Sequence, residues 1–128
     1  MPLVRISMMQ GRAPAVRRAI SDAVHQAMVD TISIPADDKF QILADVPKGD
    51  LVYDGNYQNI ARTDALVVIQ ITLNAGRTVD AKRKLYARIA ELLKQKAGVR
   101  PEDVLISLVE TTKENWSFGN GLATYAKD

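Results

Sequence analysis

Leu3-Val4-Arg5-Ile6-Ser7-Met8-Met9, followed by Gln10-Gly11-Arg12, is the stretch from which the fold is read. Apolar and polar residues alternate from Leu3, the period of a strand with one face toward a core. Gly11 marks the turn that ends it. Displacing the chain on itself by 65 residues lays this strand over Val68–Asn74 without a gap. The same shift lays Gly11-Arg12 over Gly76-Arg77, Arg18 over Arg83, Asp38 over Asp103 and Leu43 over Leu108. Identities are few, but strand, Gly-Arg turn, long helix, acidic turn and strand recur in the same order. Parallel strands need such a crossover, so each half reads as a β-α-β unit.

Outward from that strand, the spacing of Val16, Ile20, Val24, Ala27, Met28 and Thr31 predicts a helix over Ala13–Thr31 with one apolar face. Pro14 suits its first turn. Ile34-Pro35 ends it, and Pro35-Ala36-Asp37-Asp38 turns into a second strand, Phe40–Val46. In the second half Ala65–Leu73 is nearly all apolar, as expected of a central strand covered on both faces. Val79–Lys96 follows as a helix, with Leu85, Ile89, Leu92 and Leu93 inward, Thr78 as its cap and Gly98 closing it. Val104–Val109 is the fourth strand. Asp54-Gly55-Asn56, between the halves, reads as a hairpin or tight turn. The expectation is an α+β fold: one domain over 1–128, with halves at about 2–46 and 67–110 and a tail at 111–128. Its four-stranded mixed sheet carries two helices on one face. Phe40, Ile42 and Met8 suggest apolar residues on the other face too, so neighbouring subunits should supply a cover. Threefold symmetry would suit this arrangement.

The chain has 128 residues, 47% hydrophobic and 25% charged, within the ordinary globular range. A net charge of +2 with scattered basic residues does not suggest nucleic acid. The absence of cysteine excludes disulfides, thiol nucleophiles and thiolate metal sites. A single histidine argues against a zinc site or a Ser-His-Asp triad. His25, between Asp22 and Gln26 in helical spacing, reads as a surface residue. No apolar run reaches transmembrane length and no targeting peptide is evident, so a cytoplasmic protein is expected.

The chemistry-bearing residue nearest the chain start is Pro2. Proline is tolerated at the first position of a strand. Removal of Met1 would leave Pro2 as a secondary amine, with a reference pKa of about 7.7–8.0 that apolar surroundings lower and a nearby carboxylate raises. Such an amine can serve as acid, base or Schiff-base nucleophile near neutral pH. Arg77 is a cation just before a helix N-terminus, where the dipole disfavours it. An anionic partner explains it better, and its planar fork suits a carboxylate. Arg12 holds the equivalent place in the first half and reads as structural. Asp38 by itself reads equally as a turn residue.

Pro2-Leu3, Ile34-Pro35-Ala36-Asp37-Asp38-Lys39-Phe40-Gln41-Ile42, Ala61-Arg62 and the tail Trp116-Ser117-Phe118-Gly119-Asn120-Gly121 together carry a resemblance. With the duplication, they resemble the tautomerase superfamily and, within it, the malonate semialdehyde decarboxylase family over nearly the whole chain. The resemblance implies a homotrimer that needs no cofactor or metal and acts on a small carboxylate. Its cationic Pro2 would polarise the carbonyl of a 3-oxo acid, and Asp38 would orient it or activate water. Arg77 would bind the carboxylate, Trp116, Phe118 and Tyr125 would form an aromatic wall, and Gln41 would contact substrate. One departure is evident: the family's paired Arg-x-Arg falls on Asn74 and Gly76, leaving Arg77 alone. The leading expectation is decarboxylation of a 3-oxo acid such as malonate semialdehyde, with hydratase or tautomerase side activity. A 2-keto acid (phenylpyruvate-type) tautomerase and a non-catalytic trimeric scaffold remain as alternatives.

Overall fold

The computed structural model describes residues 2–126. Its principal elements are β1 (Leu3–Met9), α1 (Pro14–Ile32), β2 (Gln41–Val46), β3 (Val67–Asn74), α2 (Val79–Ala97) and β4 (Val104–Thr111). The sheet order is β2-β1-β3-β4. β1 and β3 run antiparallel at the centre, and each has its own half's second strand parallel at its outer edge. This is the expected mixed sheet of two β-α-β units.

Alternation decides which face is dry. β1 buries Val4, Ile6 and Met8, and β3 buries Val67, Ile69, Ile71 and Leu73. Against them α1 sets Ile20, Ala23, Val24, Ala27 and Met28, and α2 sets Leu85, Ile89, Leu92 and Leu93. Full burial of each large aliphatic side chain contributes roughly 1.5–3 kcal/mol. The opposite face carries Leu3, Ile42, Leu105 and Val109, all exposed. Met8, expected to help make that face apolar, points into the core instead because it is in phase with Val4 and Ile6. β3 is likewise covered by this chain on one face only, with Gln70 exposed on the other.

The duplication extends to backbone detail. Gly11 and Gly76 take φ of 124° and 122° at the same turn of the two halves. α1 ends at Ser33 with φ 57° and α2 at Gly98 with φ 66°. The helices differ at their starts. Thr78 Oγ1 accepts the Ala81 N–H at 3.1 Å, whereas Ala13 gives α1 no side-chain cap. α1 therefore depends more on its contacts with the rest of the fold.

Two expectations need correction. Asp54-Gly55-Asn56 is no hairpin, because β1 lies between β2 and β3 and the flanking strands do not pair. Instead Asp54 Oδ2 accepts the Asn56 N–H at 2.9 Å, and a single 3₁₀ turn, Tyr57–Asn59, follows. His25 is half-buried rather than a plain surface residue. Its Nε2 lies 2.8 Å from the Ala36 carbonyl oxygen, joining α1 to the turn that leads into β2.

Candidate active site

Strand register gathers the site at one end of the sheet. Leu3 lies opposite Thr72 of β3 and Val4 opposite Gln41 of β2. The start of β1 therefore sits between the end of β3 and the entrance to β2, and Val4 N–H donates to Phe40 O at 3.0 Å. Pro2, Asn74–Arg77 and Pro35–Phe40 meet there because of this register. Pro2 is buried. Met1, whose removal would free its amine, lies outside the described residues.

The Pro35–Asp38 turn is closed by the Asp38 N–H donating to Pro35 O at 3.0 Å. One side of α1 holds the segment at three points. His25 meets Ala36 O, Asp22 pairs with Lys39 Nζ at 3.1 Å, and Ser21 O accepts the Gln41 amide at 3.1 Å. The Ser21 hydroxyl also donates to the Gln41 side-chain oxygen. Asp38, held by this clamp, is only 9% exposed.

A cleft of about 460 Å³ brings Asp38 together with Arg77, Phe40, Phe118 and Tyr125. An adjoining cavity of about 200 Å³ is lined by Pro2, Leu3, Trp116 and, again, Phe40 and Phe118. Phe40 and Phe118 thus line both the Pro2 cavity and the cleft that holds Asp38 and Arg77. Arg77 Nη1 donates to Asn74 O at 3.0 Å. Behind it, Glu110 accepts from Lys82 Nζ at 2.8 Å. That hydrogen bond first, and then the Lys82 charge, hold the Glu110 carboxyl below its ordinary range, with smaller help from Gly76 and Arg77. Arg77, held by Asn74, lines the cleft. The tail supplies the wall: Trp116 and Phe118 stack at 5.6 Å and 7°, and Phe118 meets Tyr125 edge-on at 5.2 Å and 69°. Both arrangements are favoured by the ring quadrupoles.

Of the residues singled out in the sequence, Asp38, Arg77, Phe118 and Tyr125 share the cleft, and Pro2 and Trp116 line its neighbour. Gln41 does not line either cavity; its side chain is engaged by Ser21. Arg62 braces its own loop, donating to Tyr57 O at 2.7 Å and Ile60 O at 3.3 Å. Two residues were missed. Asn74 was read only as a lost arginine, yet its Oδ1 accepts the Trp116 indole N–H at 2.8 Å. His25 gave no signal, because the partner that makes it useful lies across a helix end.

The equivalent end of the second half is built differently. Asp103 is fully buried and accepts the Thr63 N–H at 2.7 Å and hydroxyl at 2.8 Å. Arg12 donates to Ala65 O. Burial lowers the Arg12 guanidinium pKa, and the Asp103 charge opposes that shift. The segment joining the two halves thus engages both Asp103 and Arg12, and with Gly11 and Arg12 its residues Asp64 and Ala65 line a separate cavity of about 350 Å³.

Chemically, the first end can hold a carboxylate on a planar arginine while a buried aspartate faces the rest of the molecule. Comparison with known proteins gives the family. A family model described as tautomerase enzyme matches residues 38–119, and a second of the same description matches residues 2–59. The chain is similar to two proteins of Bacillus subtilis (strain 168). It is 41% identical to probable tautomerase YusQ, over 96% of this chain and 97% of that one. It is 30% identical to probable tautomerase YrdN, over 98% and 96%. Among solved structures it resembles FG41 malonate semialdehyde decarboxylase inhibited by 3-bromopropiolate, with TM-score 0.91, 39% identity and coverage of 96% and 93%. Another malonate semialdehyde decarboxylase matches with TM-score 0.90, 30% identity and coverage of 96% and 95%. A fused 4-OT symmetric trimer matches with TM-score 0.79, 27% identity and coverage of 96% and 97%.

Proposed function

The chain belongs to the tautomerase superfamily of enzymes, and from that premise we propose that it decarboxylates a small 3-oxo acid of the malonate semialdehyde type through Pro2. The reading rests on one observation above the others: Asp38 and Arg77 share a cleft whose aromatic wall, Phe40 and Phe118, is also the wall of the Pro2 cavity. Similarity to two malonate semialdehyde decarboxylases supports the substrate class.

In this mechanism Met1 is removed and Pro2 carries the resulting amine. Burial favours the neutral amine, and the Asp38 carboxylate favours the ammonium. The ammonium form donates a hydrogen bond to the substrate's carbonyl oxygen while Arg77 holds the carboxylate. The bond between the carboxylate carbon and the α-carbon breaks, its electron pair enters the enolate, and carbon dioxide leaves. Pro2 stabilises the charge that develops on oxygen, an electrostatic role that is strong in a dry site. A proton delivered to the α-carbon then gives the aldehyde or ketone. Three chains assemble around the open sheet face, covering Leu3, Ile42, Leu105 and Val109; a fused 4-OT of similar fold is a symmetric trimer.

A second reading, ketonisation of a 2-oxo acid enol by a neutral Pro2 base, is favoured by the similarity to probable tautomerase YusQ. Parallel assays of malonate semialdehyde and an arylpyruvate enol, in wild type and Pro2→Ala, distinguish the two. Pro2-dependent release of carbon dioxide supports decarboxylation. Pro2-dependent ketonisation alone transfers the assignment to a tautomerase. Turnover unchanged in Pro2→Ala, or an intact mass that retains Met1, defeats both.

A further inference from the structure

We propose that Asn74 is a positioning residue that latches the C-terminal aromatic wall over the cleft. Asn74 is the last residue of β3, and its two oxygens point to different parts of the site. The backbone oxygen accepts from Arg77 Nη1 at 3.0 Å, and Oδ1 accepts from Trp116 Nε1 at 2.8 Å. Trp116 is half-buried and stacks flat on Phe118, which meets Tyr125 edge-on. Phe118 and Tyr125 line the same cleft as Arg77. One residue thus fixes both the anion-binding side chain and, through a single indole hydrogen bond, the wall of the same cleft.

The tail needs such a fixture. After the 3₁₀ turn at Lys113–Asn115 it has no helix or strand among the described residues, and Gly119 and Gly121 adopt positive φ. Three aromatic rings are therefore carried by a segment with little backbone anchorage of its own. An indole N–H in a dry setting seeks an acceptor, and an amide oxygen at a strand end is a rigid one. Without it, the Trp116 ring keeps its stacking on Phe118 but loses its hydrogen bond to the sheet, and the wall loses its fixed distance from Arg77. This assignment rests on the reading of the cleft as a carboxylate site, but the latch has a readout of its own.

That readout is Trp116, the single tryptophan of the chain. In Asn74→Leu, Trp116 emission shifts to the red and iodide quenches it more strongly. Asn74→Asp, which keeps an oxygen in the same place, retains the wild-type emission. With the acid that the enzyme turns over, Asn74→Leu raises KM about tenfold, the equivalent of one hydrogen bond near 1.4 kcal/mol, and changes kcat less than threefold. Trp116→Phe removes the donor instead and gives the same rise, and the double variant is no worse than either single one. Unchanged emission in Asn74→Leu overturns the latch. Altered emission with unchanged KM overturns its positioning role. Should Asn74→Leu fail to fold, an unchanged KM in Trp116→Phe overturns it equally. If wild type turns over neither acid, the functional reading fails, and the latch stands or falls on Trp116 emission.

Discussion

Asp38 and Asp103 occupy the same position of the two β-α-β halves, and both are buried, but their surroundings are opposite. Asp103 accepts two hydrogen bonds from Thr63, while Asp38 lines a cleft with Arg77. One sequence position fastens the linker in one half and borders a cleft in the other.

Asp103→Ala should therefore affect stability and leave catalysis alone. It removes two hydrogen bonds that a fully buried carboxylate accepts from Thr63, at a cost of about 2–3 kcal/mol. Urea denaturation should show the lowered midpoint, and kcat per folded molecule should equal wild type. A wild-type midpoint would mean that water replaces the carboxylate.

Asp38→Asn should do the reverse. The isosteric change keeps the turn, so the melting temperature should move little, while loss of the charge that favours the Pro2 ammonium should lower kcat about a hundredfold. Steady-state kinetics beside a thermal melt checks both halves of that statement.

Arg77→Lys tests whether the carboxylate is gripped by a fork or by a point charge. Lysine keeps the charge and loses the second parallel hydrogen bond, so KM should rise about tenfold, and Arg77→Ala should raise it further. Equal KM values for arginine and lysine would rule out the two-pronged grip.

Much of this was legible in the sequence because it depends on period and on conformational rules. The alternation of β1, the apolar stripe of α2, Thr78 as a cap and Gly98 as a stop all follow from local preferences. The Gly-Arg turns lie at the same place in both halves for the same reason. What could not be read was pairing across distance. Gln41 looked like a substrate contact, and Ser21 of α1 takes it. His25 looked solvated, and Ala36 takes it. Asn74 looked like an absence, and the Trp116 indole gives it a role. Each of these hydrogen bonds joins segments far apart in the chain, and no local period encodes them.

Ser33 ends α1 in the left-handed region at φ 57°, where its counterpart in the second half is glycine. A residue with a Cβ gives up roughly 1–2 kcal/mol there. Ser33→Gly should raise the melting temperature by about 4 °C, and calorimetry reads that directly. Gly98→Ala should lower it by a similar amount.

Acid should loosen the contact between the helices. Asp30 of α1 accepts from Gln26 and from Arg88 of α2, the latter at 3.0 Å, and these bonds hold its carboxyl below the ordinary value of 3.8. A depressed carboxylate contributes stability that is fully present above the unfolded value and is lost as pH falls through the folded one. Asp30→Asn should therefore reduce the loss of stability below pH 3.8, as followed by acid titration of helix circular dichroism. An unaltered acid limb would mean that solvent screens the pair completely.

The segment that joins the halves also has a bearing on how the gene could change. By engaging Asp103 and Arg12, residues 63–65 commit both side chains to fastening one of two equivalent corners. A corner fastened in this way helps to hold the fold while the other varies its loops and walls. Such a division of labour lets a doubled chain explore new substrates at one mouth without risking the scaffold, a freedom that an undivided pair of identical units, mutated together at every site, does not have.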